Sequence, residues 1–294
     1  MPGSTIPIAF LLLLTASFGC AGRRGNRIII GAKNFTEQEV LAEILAQHLG
    51  ARTALEVEKR INLGGTLIAV QAIQSGEIDA YVEYTGTALT AVLGESPSRS
   101  KEDVLRRVKE GYSSRFGVEV LDPLGFENSF AIVVRGEDAR RLRLKKVSDI
   151  RPYAPQWRAG FGYEFMERAD GYPGLARKYG LTFGRPPRIL DLGLLYRALN
   201  EKQVDLVAGN STDGVILTLD LTVLEDDQHY FPPYEAVPVV RKEFLAAHSE
   251  ARAALRELQG KFTEDEMRHL NYAVDGEHRD VREVVREFLR SKGL

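Results

Sequence analysis

Tyr81-Val82-Glu83-Tyr84-Thr85-Gly86-Thr87 decides the reading of this chain, because its setting recurs 126 residues later. Upstream run Ala72-Ile73, a break at Ser75-Gly76, then Ile78-Asp79 leading into the apolar run. The later copy has Ala198-Leu199, a polar break, then Val204-Asp205-Leu206-Val207-Ala208-Gly209 and Asn210-Ser211-Thr212-Asp213. Register holds without a gap: Ala72 matches Ala198, Ile78 matches Val204, Asp79 matches Asp205 and Tyr84 matches Asn210. Each copy reads as a helix, a short buried strand and a polar turn opening another helix. Two such units at this interval imply two similar lobes, each presenting a strand end and a helix start to a shared cleft.

The chain of 294 residues holds two domains of ordinary size, and 44% apolar residues supply their cores. With 39 basic and 41 acidic side chains, nothing in the charge balance calls for nucleic acid or an anionic membrane. The five histidines are scattered, without metal-ligand spacing to a second His or Cys. Asn34-Phe35-Thr36 and Asn210-Ser211-Thr212 match the glycosylation sequon, a pattern common by chance.

The sole cysteine, Cys20, follows an apolar run from Ile6 to Ala16 that has signal-peptide length. The run is too short to span a bilayer, which takes about 20 apolar residues. It lacks the usual Lys or Arg start. Ser17-Phe18-Gly19-Cys20 resembles a bacterial lipoprotein box, with Ser17 where Leu is usual. An ordinary signal cut near Gly19 or Ala21 is the alternative. Either way the reading is an exported protein, with residues 1–20 as signal and Cys20 as the candidate lipidation site.

Farther on, Arg27 to Gly31 reads as a strand, and Thr36-Glu37-Gln38-Glu39 fits a capping box with Thr36 as N-cap. Val40, Leu41, Ile44, Leu45 and Leu49 give that helix an apolar face. Ala54 to Lys59 is a second strand, Gly64-Gly65 introduces a helix to Gln74, and Asp79 to Tyr84 is a third strand. This alternation predicts parallel α/β layers. Lys101 to Arg115 is an amphipathic helix, and Ser129 to Arg135 a strand leaving the first lobe. In the second lobe Arg158 to Gly162 and Arg188 to Asp191 read as strands. Helices begin at Tyr163 and run from Leu194 to Asn200. Pro232-Pro233-Tyr234 marks a return crossing. From Arg241 onward the chain reads as helical and is expected to pack on the first lobe. The resulting division is 27–128 with 234–294 as lobe 1, and 129–233 as lobe 2.

Fragments resembling enzyme motifs fail on inspection. Gly160-Phe161-Gly162 begins a dinucleotide loop, but Tyr163 and Phe165 stand where a phosphate needs bare backbone, and the third glycine is missing. Gly209 to Gly214 encloses a serine at the wrong spacing for a nucleophile elbow. Asp226-Asp227-Gln228-His229 reads better as a solvated loop than as a metal site. Glu83 and Glu164 suit capping or bridging between lobes better than acid/base chemistry. The expectation is no catalytic residue, no metal and no cofactor.

GAKNFTEQ (31–38), EYTGT (83–87), FENSFAI (126–132), GYEFMERADGY (162–172), STDG (211–214) and DDQHYFPPYEAVPVV (226–240) together resemble the substrate-binding proteins of osmoprotectant ABC importers. Those proteins bind glycine betaine, choline, carnitine or proline betaine. The resemblance runs from about residue 27 to the C-terminus. It implies the type II periplasmic-binding-protein fold, two α/β lobes closing over a ligand cleft. It implies as partners a small zwitterion or quaternary amine and an ABC permease with its ATPase. The membrane enters only through a lipid anchor on Cys20, and a monomer is expected.

A quaternary ammonium donates no hydrogen bond and carries a diffuse charge, so aromatic faces hold it. A carboxylate wants Lys or Arg with hydroxyl or backbone donors. By resemblance the first-lobe cage tyrosine matches Tyr84 and a nearby hydroxyl donor matches Thr87. The lysine after the first strand matches Lys33, and the carboxylate-pairing arginine matches Arg168. Phe130 and Tyr234 match further cage aromatics. On the residues alone, Tyr84 and Phe130 also suit a core, Lys33 a solvated turn, Tyr234 turn packing and Arg168 an ion pair with Glu164 at i−4. Where the family usually has an aromatic before the Ser-Thr-Asp run, this chain has Asn210. Phe130 stands where tyrosine is common. Each ring on a desolvated cation is worth on the order of 1–2 kcal/mol. The change at Asn210 therefore implies weaker betaine binding, or a related polar or sulfur-bearing betaine. Two rivals remain: an enzyme on this fold, whose known examples rely on a cysteine, and a sensory domain, which needs a membrane or output segment.

Overall fold

The computed structural model describes residues 25–294; the signal segment and Cys20 lie outside the described residues. Two five-stranded sheets form the two lobes. The strands are β1 (Arg27–Gly31), β2 (Glu56–Arg60), β3 (Ala80–Tyr84), β4 (Val118–Val120), β5 (Phe130–Arg135), β6 (Ala159–Phe161), β7 (Arg188–Ile189), β8 (Leu206–Asn210), β9 (Leu221–Leu224) and β10 (Ala236–Arg241). The first-lobe helices are α1 (Thr36–Arg52), α2 (Thr66–Gln74), α3 (Thr85–Thr87) and α4 (Lys101–Phe116). The second lobe carries α5 (Gly136–Leu142), α6 (Tyr163–Glu167), α7 (Tyr172–Tyr179) and α8 (Leu195–Asn200). The tail adds α9 (Lys242–Ala247), α10 (Ser249–Glu257), α11 (Glu264–Asp275) and α12 (Val281–Lys292). Among the described residues no helix is long and apolar enough to cross a membrane.

The sheets share one topology. The first runs β2-β1-β3-β10-β4 and the second β7-β6-β8-β5-β9. The sequence repeat is this symmetry: β3 and β8 occupy the same registers 126 residues apart. Asp79 accepts from the Ile29 N–H at 2.9 Å and gives its own N–H to the Ile29 carbonyl at 2.7 Å. Asp205 does both with Arg158, at 2.9 and 2.7 Å. An arginine ending the neighbouring strand completes each: Arg241 lies 3.1 Å from Asp79 and Arg135 3.0 Å from Asp205. The matched aspartates thus lock each repeat strand to its neighbours.

The expectation of parallel layers needs correction, because both sheets are mixed. β1 pairs in parallel with β2 and β3, but β10 runs antiparallel to β3, and β5 antiparallel to β8. Both exceptions are crossing strands. Each enters its sheet from the other lobe at the cleft edge, Phe130 opposite Asn210 and Ala236 opposite Tyr84, and must run away from that edge. Side chains alternate between the faces of each sheet. Ile28, Ile30, Ala80 and Val82 join one core with α1 and the tail, while Ile29 and Tyr81 join the core under α2 and α4.

The capping box at Thr36 also differs. The helix starts at Thr36 itself, with Phe35 extended before it and no side-chain cap. The Thr36 hydroxyl donates instead to Asp275 on α11 at 2.6 Å, a charged acceptor brought near by the tail. The tail packs on α1 as expected, and α11 in addition reaches the second lobe. Arg268 Nε donates to the Ser211 carbonyl at 2.8 Å and Asn271 Nδ2 to the Thr212 carbonyl at 2.9 Å.

Candidate ligand-binding site

Strand ends build the site. Tyr84 ends β3 and Asn210 ends β8, while Phe130 opens β5 and Tyr234 lies two residues before β10. Lys33 follows β1, Thr87 lies in α3 beyond β3, and Arg168 follows α6. All seven line one cavity of about 770 Å³ between the lobes.

Tyr84 is buried and stacks with Phe35, ring centres 6.4 Å apart. Its hydroxyl donates to Glu37 at 2.6 Å and accepts from Gln38 at 3.2 Å. Burial first, then the Glu37 carboxylate, pushes this phenol well above its ordinary pKa, so it stays a neutral donor. Glu37 in turn accepts from Asn128 at 2.8 Å and Asn271 at 3.0 Å. Burial raises its pKa despite those donors.

Phe130 packs edge-on to Phe165 at 4.8 Å and to Tyr234 at 5.9 Å, so three rings wall the second side. Tyr234 can reach this place because residue 86 is glycine: a Cβ there would lie 2.7 Å from the Pro233 carbonyl and the Tyr234 ring.

The two cations are already paired. Lys33 is buried, with Nζ 2.5 Å from Glu83 and 3.2 Å from the Thr66 hydroxyl, and lies 5.3 Å from the Tyr84 ring centre. Glu83 is fully buried and also accepts from Tyr81 at 3.1 Å and from the Tyr84 N–H at 2.8 Å. The reading of Lys33 as a solvated turn residue is therefore excluded, and Glu83 is its counter-charge.

Arg168 joins the lobes. Its guanidinium donates to Asp170 at 2.9 and 2.6 Å and to Thr87 Oγ1 at 3.0 Å, and lies 5.0 Å from the Phe130 ring centre. The i−4 pair with Glu164 exists but is longer, 3.7 Å. Burial alone would lower the Arg168 pKa, but the hydrogen-bonded Asp170 outweighs it and the charge is held. Burial pushes the Asp170 carboxyl up, but Arg168, Tyr234 and Thr90 together outweigh it and hold it below its usual value. Asp170 also accepts from Tyr234 and Thr90, each at 2.8 Å. A second bridge runs from Glu164 to the start of α2, where it accepts from the Thr66 N–H and, at 3.2 Å, the Thr66 hydroxyl. This is the capping and lobe-bridging use expected of that glutamate.

Asn210 is half-buried at the cavity wall. Its N–H donates to Asp213 at 2.8 Å and its side-chain amide to the same carboxylate at 3.2 Å. The aromatic wall is thus interrupted at this strand end. Sequence reasoning missed Phe35, Phe165, Asn128, Thr90 and Asp170. Phe35, Asn128 and Asp170 each stand two residues from a named site residue, Phe165 and Thr90 three, and that proximity was the available signal. Among the described residues no group of three or more His, Cys, Asp or Glu could hold a metal.

Known proteins agree with this architecture. A family model described as the substrate binding domain of ABC-type glycine betaine transport system matches residues 26–291. The chain is 36% identical to the carnitine transport binding protein OpuCC of Listeria monocytogenes, over 97% of this chain and 96% of that protein. It is 31% identical to the ergothioneine transport permease/ergothioneine binding protein EgtU of Helicobacter pylori, over 99% of this chain and 53% of that protein. A crystal structure of a glycine betaine/carnitine/choline ABC transporter superposes with a TM-score of 0.75 at 33% identity, covering 90% of this chain and 98% of that one. The chain belongs to the family of substrate-binding domains of ABC-type glycine betaine transport systems.

Proposed function

We propose that the chain captures a quaternary-ammonium solute of the carnitine, glycine betaine and choline class and hands it to an ABC permease with its ATPase. The observation that carries this reading is the single cavity in which Phe35, Tyr84, Phe130 and Tyr234 meet Lys33, Thr87 and Arg168. Rings offer their faces to the onium group, and Arg168, Thr87 and Lys33 offer donors to a carboxylate. Nothing in this arrangement requires a chemical step, and the role is capture and delivery. The lobes, 27–128 with 234–294 and 129–233, close by hinge motion, and Asp170 and Glu164 hold the closed form. The protein is exported, tethered through Cys20, and acts as a monomer.

A second reading follows from Asn210. An amide at the strand end where a ring would complete the cage favours a polar or sulfur-bearing betaine, and the ergothioneine-binding relative supports it. Thermal shift followed by calorimetry tests both, with glycine betaine, choline, carnitine and a thione-bearing betaine. A ligand at one hundred times its Kd stabilises by about 2.7 kcal/mol. If none of the four raises the melting temperature, the reading falls. A response to the thione alone selects the second reading.

A further inference from the structure

The cavity is larger than a simple betaine, and its outer part has a different chemistry. Counting about 30 Å³ per water-sized group, the eight heavy atoms of glycine betaine occupy on the order of 240 Å³. The cavity holds about 770 Å³. Beyond the rings its walls are Leu67 and Ile68 at the start of α2, and Tyr163, Leu190 and Leu192 from the second lobe. Leu67 is 61% exposed, Ile68 51%, Tyr163 65% and Leu192 37%. Large apolar side chains left this open on both lips of one mouth are unusual in a protein with well-filled cores.

The lips meet for a structural reason. Glu164 of α6 accepts from the Thr66 N–H and hydroxyl at the start of α2, and this bridge brings its neighbour Tyr163 to the same cavity as Leu67 and Ile68. The apolar mouth therefore forms with the same contact that bridges the lobes, and it is continuous with the inner cavity. Asn210 extends the space inward where the cage aromatic of the family would stand. Glu167 and Asp191 also line the cavity and oppose an anionic group there.

From this geometry we infer that the site takes a quaternary-ammonium solute carrying an apolar substituent besides its onium head, such as a short-chain acyl ester. The head lies among Tyr84, Phe130 and Tyr234, any carboxylate faces Arg168 and Thr87, and the substituent runs out between Leu67, Ile68, Tyr163 and Leu192. This inference rests on the reading of the cavity as a quaternary-ammonium site and adds the third arm.

Calorimetry on the mature chain with carnitine and its acetyl, butyryl and hexanoyl esters tests it. Affinity rises two- to fourfold per added methylene wherever that methylene leaves water. Leu67→Asn and Leu192→Asn, both on exposed positions, lower the ratio of hexanoyl-ester to carnitine affinity toward one. Flat or falling affinity along the series, with carnitine itself bound, overturns the inference and leaves the parent reading standing. Binding of neither carnitine nor its three esters, nor of betaine or choline, overturns both.

Discussion

Asn210→Tyr restores a ring at the one strand end where the repeat offers a second aromatic position. Asn210 pairs across the sheet with Phe130 and lines the cavity. The cavity of about 770 Å³ offers volume for the larger side chain. The substitution gives up the 3.2 Å amide contact to Asp213, but Asp213 keeps the residue 210 N–H at 2.8 Å and the Tyr196 hydroxyl at 2.7 Å. Loss of one such bond costs about 0.5–1.5 kcal/mol of folding stability and acts on the free protein and the complex alike. The binding gain is the ring facing a desolvated onium group, on the order of 1–2 kcal/mol. At 1.4 kcal/mol per tenfold, glycine betaine affinity rises roughly 5- to 30-fold. Titration calorimetry on wild type and variant reads this directly, with choline as a carboxylate-free control that should gain to the same degree. Tight betaine binding by the wild type, unaffected by the substitution, would refute the argument that the strand end is a vacant cage position.

Three further perturbations probe the frame. Asp170→Asn leaves Arg168, only 11% exposed, without its main counter-charge and should cost about 3–5 kcal/mol, read in urea melts. The pH dependence carries the sign: the Asp170 carboxyl is depressed in the native state, so its stabilisation is full above the unfolded value of about 3.9 and is lost as pH falls through the native value. The stability gap between wild type and Asp170→Asn should be constant above about pH 5 and shrink in stronger acid; a constant gap across the acid range contradicts the pairing. Tyr234→Phe removes the 2.8 Å bond to Asp170 but keeps the ring, so stability should drop by about 1.5–3 kcal/mol while betaine affinity changes less than in Tyr234→Ala. Gly214→Ala would set a Cβ 2.3 Å from the Tyr272 backbone nitrogen, which cannot swing aside. The overpacking should cost about 1–3 kcal/mol and lower Tm by roughly 2–4 °C per kcal/mol, and an unchanged Tm would refute the close approach of α11 to the second lobe.

The repeat was legible because it is written in local pattern. A helix, a polar break, an aspartate and a buried strand recur at one interval, and the two aspartates hold equivalent backbone bonds. The seven candidate residues were named through the motif resemblance rather than through local pattern, and all seven line one cavity. The mixed direction of the sheets was not, because antiparallel entry of β5 and β10 depends on where the crossings lie in space. Thr36 was misread for a similar reason: its hydroxyl has a local option and a distant one, and only the tail's position makes Asp275 the partner.

By itself the sequence determined two matched lobes, the strand ends that face each other, and the absence of a ring at Asn210. These follow from periodicity and residue type, which need no partner. Only the tertiary structure decided that Lys33 is paired with Glu83, that Asp170 gathers Arg168, Tyr234 and Thr90, and that Glu164 caps a helix of the other lobe. Each of the Lys33, Tyr234, Thr90 and Glu164 contacts joins residues 50 to 98 positions apart. A buried charge takes whichever partner the fold brings within reach, and no local pattern encodes that choice.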